Sequence, residues 1–96
     1  MKENTHYFVN SPTQSYNSLT RMERELYDMI LRTVVHCVLS TEQLSEVVQQ
    51  LKSFEHELIA KNPRLKRAEV NFTQFDTMGF LYFGSVNLAL IPVKNM

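Results

Sequence analysis

The chain of 96 residues carries ten basic and ten acidic side chains, so its formal net charge is zero, and 44% of its residues are hydrophobic. This length allows one domain, the apolar content is typical of a folded protein, and the neutral charge excludes a general attraction to nucleic acid or to an anionic membrane. The one cysteine, Cys37, excludes an internal disulfide and is typical of a reducing compartment, so we expect a cytoplasmic location.

The N-terminal segment, residues 1–17, is rich in asparagine, serine, threonine and glutamine, and this composition predicts a mobile arm. A short apolar stretch at residues 6–9 leaves open a second interpretation, an edge strand. The segment lacks the apolar stretch of a secretory signal. Residues 18–96 are predicted to form the single domain.

A first helix is predicted over about residues 20–38, because Thr20 and Glu23 have the spacing of a capping box and apolar residues then recur at helical spacing. Two further apolar residues, Leu31 and Val35, lie on the other side of a regular helix. The second half of this helix is therefore apolar on two faces, which is typical of a helix between two layers or within an oligomer.

A second helix is predicted over about residues 41–61. Ser40 or Thr41 can cap its beginning, and the residue before Pro63 avoids the helical conformation, which ends it. The short connection at residues 39–41 predicts that the two helices form an antiparallel hairpin.

One charged residue, Glu55, falls within the apolar stripe of the second helix and is a candidate buried charge. A buried carboxylate needs a partner or a raised pKa. It could serve as a general acid or base or as a specificity contact, or it could lie at the rim and pair with an arginine or with water.

The C-terminal part changes to the alternation of β-strands, and antiparallel strands are predicted over about residues 68–75 and 80–91. Residues 77–93 contain no charge, but the run is too short and too polar in places for a membrane-spanning helix, so we expect no membrane association. Gly84 leaves two interpretations open. It is either a bulge in one long strand or part of a tight turn that creates a third short strand.

These elements predict an α+β fold, with an antiparallel helical hairpin packed on a small antiparallel sheet in the order α-α-β-β. The hairpin can cover only one face of the sheet, so apolar surface remains on the last strand and on the second side of the first helix. We therefore expect a homodimer. Its predicted interface consists of Leu31, Val35, Leu81, Phe83, Leu88 and Leu90.

Four cations occur within seven residues and no acid separates them: Lys61, Arg64, Lys66 and Arg67. Cations on a loop between a helix and a strand can contact phosphate or an acidic partner. The other interpretation, which is the usual one for a run of charges in a connection, is a solvated segment whose first lysine complements the C-terminal dipole of the helix.

No catalytic or metal-binding pattern is present. His56 and Glu57 begin a zinc-protease motif, but position 60 is alanine and the second ligand is missing. We therefore expect no enzyme and no cofactor, but a small protein-interaction protein (an adaptor, an inhibitor or a regulatory protein) that acts as a homodimer. The alternative is a nucleic-acid-binding regulator that uses residues 61–67 and the adjacent hairpin.

Overall fold

The computed structural model describes residues 6–75 and 78–93. Within them, two helices and five strands follow in the order β-α-β-α-β-β-β, and the strands are β1 (His6–Val9), β2 (Val38–Ser40), β3 (Asn71–Phe75), β4 (Met78–Phe83) and β5 (Val86–Val93). They form one antiparallel sheet in the order β2-β1-β5-β4-β3. The predicted α+β class is confirmed. The element order differs, because one strand precedes the helices and another separates them.

The beginning of the first helix is held by the predicted capping box. The Thr20 hydroxyl accepts the Glu23 N–H at 3.2 Å, and the Glu23 carboxylate accepts the Thr20 N–H at 2.9 Å. The helix spans residues 21–34 and ends earlier than predicted. His36 has a positive φ of 70°, which no helix accommodates. The chain then enters β2.

The middle of the first helix is a π-helical segment, Tyr27–Leu31, between two α-helical segments. A π turn closes its hydrogen bonds over five residues instead of four. Leu26 and Leu31 are five residues apart, and both are completely buried on the same side, while Met29 is 54% exposed. A regular helix would place Leu26 and Leu31 on different sides. The π turn places both on the buried side of the helix, and Met29 lies on the exposed side.

The second helix spans Thr41–Lys61, as predicted. Ser40 caps it, with its hydroxyl accepting the Gln43 N–H and the Gln43 side chain accepting the Ser40 N–H. Because Ser40 is also the last residue of β2, no loop separates strand and helix. Strand β2 thus includes most of the short connection, residues 39–41, that the sequence predicts between the two helices.

Within the N-terminal segment, residues 6–9 form strand β1 of the sheet, which corrects the prediction of a mobile arm for these residues; residues 1–5 lie outside the described residues. β1 lies between β2 and β5, and both Tyr7 and Val9 are completely buried. The segment then continues along β5. The Asn10 N–H bonds the Ala89 carbonyl at 3.0 Å, and the Gln14 side chain donates to the Ser85 carbonyl at 2.7 Å.

The C-terminal strands are joined by a two-residue turn, Gly84 and Ser85, which supports the hairpin interpretation over the bulge. Phe83 pairs with Val86 directly across it. Gly84 has a φ of 62°, while Ser85 has no positive φ, which is typical of a type II′ turn. β4 and β5 are therefore separate strands, so the C-terminal part contains three strands. The bulge interpretation treats β4 and β5 as one long strand.

The helices cover only one face of this sheet, and the core lies between that face and the helices. Alternate residues of each strand point to that side and are buried. The sheet contributes Tyr7, Val9, Leu81, Phe83, Val86, Leu88 and Leu90, and the helices contribute Met22, Leu26, Leu31, Leu44 and Leu51. None of the described helices is long and apolar enough to cross a bilayer.

Candidate functional site

The face of the sheet away from the helices carries a continuous set of apolar side chains. Phe8 lies opposite Val38 on one neighbouring strand and opposite Ile91 on the other, and Phe80 lies opposite Ala89. We call this surface the open face and define it by Phe8, Val38, Phe80, Tyr82, Ala89 and Ile91. Val38 is 40% exposed and Ile91 is 46% exposed. An exposed apolar surface of this kind is a candidate interaction site.

Among the described residues, the open face bears no formal charge. The polar residues at its strand positions are Asn71, Thr73, Asn87, Ser40 and His6, and none of the described strand positions on this side holds an acid, lysine or arginine. The rings of Phe80 and Tyr82 stack on one another, with centroids 6.1 Å apart and planes 26° apart. The surface is thus both apolar and ordered.

Two histidines lie on either side of Phe8, along the β1–β2 side of the open face. The His36 ring stacks on Phe8, with centroids 5.8 Å apart and planes 14° apart, and its Nε2 is 2.8 Å from the Ser11 hydroxyl. The His36 N–H also bonds the Val9 carbonyl at 2.7 Å, which fixes the turn before β2. His6 lies on β1 two residues before Phe8 and therefore on the same side.

The residues that the sequence predicts for the dimer interface do not lie on the open face. Leu31, Leu81, Phe83, Leu88 and Leu90 are at most 1% exposed and form the core of one chain, and Val35 is half-buried against that core. The five leucine and phenylalanine side chains are thus unavailable to a second copy, which corrects the assignment of the interface. Between residues 80 and 91 both alternating sets are apolar, so the sequence could not show which set faces the helices.

The basic segment is exposed, and all four cations, Lys61, Arg64, Lys66 and Arg67, reach solvent. The Arg67 guanidinium lies 4.0 Å from the Glu55 carboxylate, and its side chain is 75% exposed. This contact attaches the segment to the helical layer. The cations and the aromatic residues of the open face are therefore not brought together.

Glu55 is buried, as its position in the apolar stripe predicts, with 1% of its surface exposed. Its Oε2 accepts a short hydrogen bond from the Ala68 N–H, and Arg67 supplies the nearby positive charge. The carboxylate therefore binds the chain that leads into β3, where Glu69 has a positive φ of 53°. These contacts give Glu55 a structural role.

A second buried carboxylate, Glu23, was recognised in the sequence only as a capping residue. Besides capping the first helix, its Oε2 accepts the Ser85 N–H at 2.8 Å and the Ser85 hydroxyl at 3.1 Å. Burial raises the pKa of Glu23, but the hydrogen bonds from Ser85 and Thr20 together lower it below the ordinary glutamate value. No sequence signal connects residues 62 positions apart.

The two carboxylates are joined through the backbone. Glu55 binds the Ala68 N–H, the Ala68 carbonyl accepts the Gly84 N–H, and Ser85 binds Glu23. We call this chain of contacts the carboxylate clamp. It holds the β4–β5 turn against both helices, and it keeps the strands that present Phe80, Tyr82 and Ile91 in fixed register.

A shallow groove of about 470 Å³ lies between the helices, beside the π turn. Apolar side chains form its floor and polar ones its rim: Met29, Ile30 and Phe54, then Gln49, Gln50, Ser53 and Glu57. In the described part of the chain, no group of three or more histidine, cysteine, aspartate or glutamate residues is arranged to hold a metal ion.

No protein-family model matches the chain, and comparisons with curated proteins and with solved structures find no match.

Proposed function

We propose that the chain is a non-enzymatic protein-interaction protein, of the adaptor, inhibitor or regulatory kind, and that it acts as a homodimer. The observation that carries this proposal is the open face. A sheet with an apolar face on each side is normally covered on both, and here the helices cover one side only. A second copy would cover the other, giving four layers in the order helix, sheet, sheet, helix.

The charge of the open face favours a second copy over other occupants. A two-fold interface places a patch against its own copy, so any formal charge there would face like charge. The described residues of the open face carry none, and its apolar residues Phe8, Val38 and Ile91 can therefore face their copies without repulsion. A partner that is recognised through charge, such as nucleic acid, would find no complementary group on this surface.

The size of the open face determines how tightly the two copies are expected to bind. Five strands about 4.8 Å apart and about five residues long give a footprint of about 400 Å² for each copy, or about 800 Å² in total. This lies at the low end of specific interfaces. We therefore expect a dissociation constant on the order of micromolar.

The test is the mass in solution, measured by light scattering or sedimentation across micromolar concentrations at pH 7.5. We expect a reversible monomer–dimer equilibrium. Ile91→Lys should raise the dissociation constant at least about tenfold, because the interface would bury an unpaired charge. Met29→Lys is the matched control, since Met29 is similarly exposed but lies on the helical side. A wild-type chain that stays monomeric throughout would refute the proposal.

The nucleic-acid alternative is supported by the four exposed cations of residues 61–67. It predicts oligonucleotide binding that falls steeply with salt. Arg64→Ala/Arg67→Ala should then abolish this binding, while Ile91→Lys should leave it unchanged. Binding that behaves in this way would replace the homodimer proposal as the account of function.

We place the protein in the cytoplasm as part of this proposal. Cys37 is a free and exposed thiol. Exposed thiols persist in reducing compartments and are oxidised elsewhere.

A further inference from the structure

The histidines of this chain are unevenly distributed. There are three in the sequence. His6 and His36 belong to the open face, where His6 is half-buried and His36 stacks on Phe8. His56 is exposed on the second helix, in the layer that covers the other side of the sheet.

Among the described residues, the groups that pair with or contact the two open-face histidines carry no opposite charge. His6 lies opposite Ser40 on β2 and opposite Val93 on β5. His36 contacts Phe8 and Ser11. Among the described residues of this face the only other ionisable side chain is Tyr82, and tyrosine stays uncharged below about pH 9. Within these described contacts, protonated imidazoles would therefore have no carboxylate to neutralise them.

We infer that the homodimer is acid-sensitive, and that protonation of His6 and His36 separates the two copies by placing positive charge on an otherwise uncharged interface. This inference rests on the proposed homodimer and adds its regulation. Histidine is the side chain that gains charge between pH 8 and 5. A two-fold contact would bring four such charges together on an apolar surface, where each would also lose water.

The contacts of His36 allow this change. A serine hydroxyl both donates and accepts, so Ser11 can donate to Nε2 of the neutral ring and can accept from Nε2–H of the charged ring. The hydrogen bond is therefore compatible with both protonation states. The turn itself is held by the His36 N–H to Val9 bond, which does not involve the ring.

The expected effect follows from linkage between protonation and association. Each proton that must be released before two copies associate raises the dissociation constant by at most about tenfold per pH unit of acidification. One histidine from each copy therefore gives at most about a 10²-fold increase per pH unit, and both histidines give at most about 10⁴-fold.

The experiment measures the dissociation constant by sedimentation at pH 7.5, 6.5 and 5.5, for the wild-type chain and for three variants. His36→Gln and the double variant His6→Gln/His36→Gln remove the titrating groups but keep polar side chains. His56→Gln is the matched control. Far-ultraviolet circular dichroism at each pH confirms that the chain is folded.

We expect the wild type and His56→Gln to dissociate at pH 5.5, His36→Gln to dissociate less, and the double variant to remain dimeric. A wild-type dimer that persists at pH 5.5 overturns the inference and leaves the homodimer intact. Acid dissociation that also occurs in the double variant overturns it as well, as does loss of the folded signal at pH 5.5. Absence of a dimer at pH 7.5 overturns the homodimer and the inference together.

Discussion

We expect Glu23→Gln to lower the free energy of unfolding by about 3 kcal/mol at neutral pH. The Glu23 carboxylate accepts three hydrogen bonds, one from the Thr20 N–H and two from Ser85. Glutamine keeps the shape but replaces one accepting oxygen by an NH2 group, which can only donate. A hydrogen bond to a charged group contributes about 1.5–3 kcal/mol, and a buried donor left unpaired costs about 1–3 kcal/mol. Losing one such bond and leaving one donor unpaired gives the estimate.

The pH dependence of this deficit identifies its cause. The pKa of Glu23 is lower in the folded chain than its ordinary value, because the hydrogen bonds from Ser85 and Thr20 outweigh the effect of burial. Its ionised form therefore stabilises the fold above the unfolded glutamate pKa of about 4.3, and the contribution is lost as the pH falls through the lower folded value. Glutamine does not titrate here. The difference between wild type and variant should therefore shrink in acid.

The assay is urea unfolding followed by circular dichroism, at neutral pH and at about pH 3, with one protein concentration throughout because association is coupled to stability. Glu25→Gln is the matched control, on the same helix and only half-buried, and it should change stability by less than about 0.5 kcal/mol. If Glu23→Gln behaves like this control, or if its deficit is the same in acid, the carboxylate clamp does not stabilise the fold as argued.

Two further substitutions test the core. Leu31→Ala should cost about 2–5 kcal/mol, because it empties a fully buried site, while Met29→Ala should change the free energy of unfolding by less than about 0.5 kcal/mol. The reverse order in urea unfolding would mean that the first helix is regular. Gly84→Ala should cost at least about 2 kcal/mol, because its Cβ would overlap Glu23 Oε2 at a positive φ. In a double-mutant cycle its cost should fall to about 1 kcal/mol on a Glu23→Ala background, and full additivity would contradict the overlap.

Some of the fold could be predicted because its signals are local. The Thr20 and Ser40 caps follow from hydroxyl residues at the right positions, and the second helix follows from regular spacing and from the proline after it. Glu55 could be recognised because a charge inside an apolar stripe must be buried or lie at its rim. Each of these inferences needs only neighbouring residues on one element.

The remaining features depend on contacts that the sequence does not carry. β1 and β2 have four and three residues, too few for a clear alternation, and their pairing joins residues at least 30 positions apart. The sequence does not show which face of β4 and β5 packs against the helices, because both faces are apolar. The Glu23 contact with Ser85 depends on where the turn at Gly84 comes to lie in the folded chain.

The π turn of the first helix has a consequence for how the length of this chain can vary. Such a turn is equivalent to an α-helix into which one residue has been inserted. Deleting Met29 would convert the five-residue step between Leu26 and Leu31 into an ordinary four-residue step and leave both buried side chains in line. The extra residue is thus accommodated within the helix instead of shifting the register of the strand that follows. At the π turn, a change of one residue in the length of the first helix therefore leaves the register of the sheet unchanged.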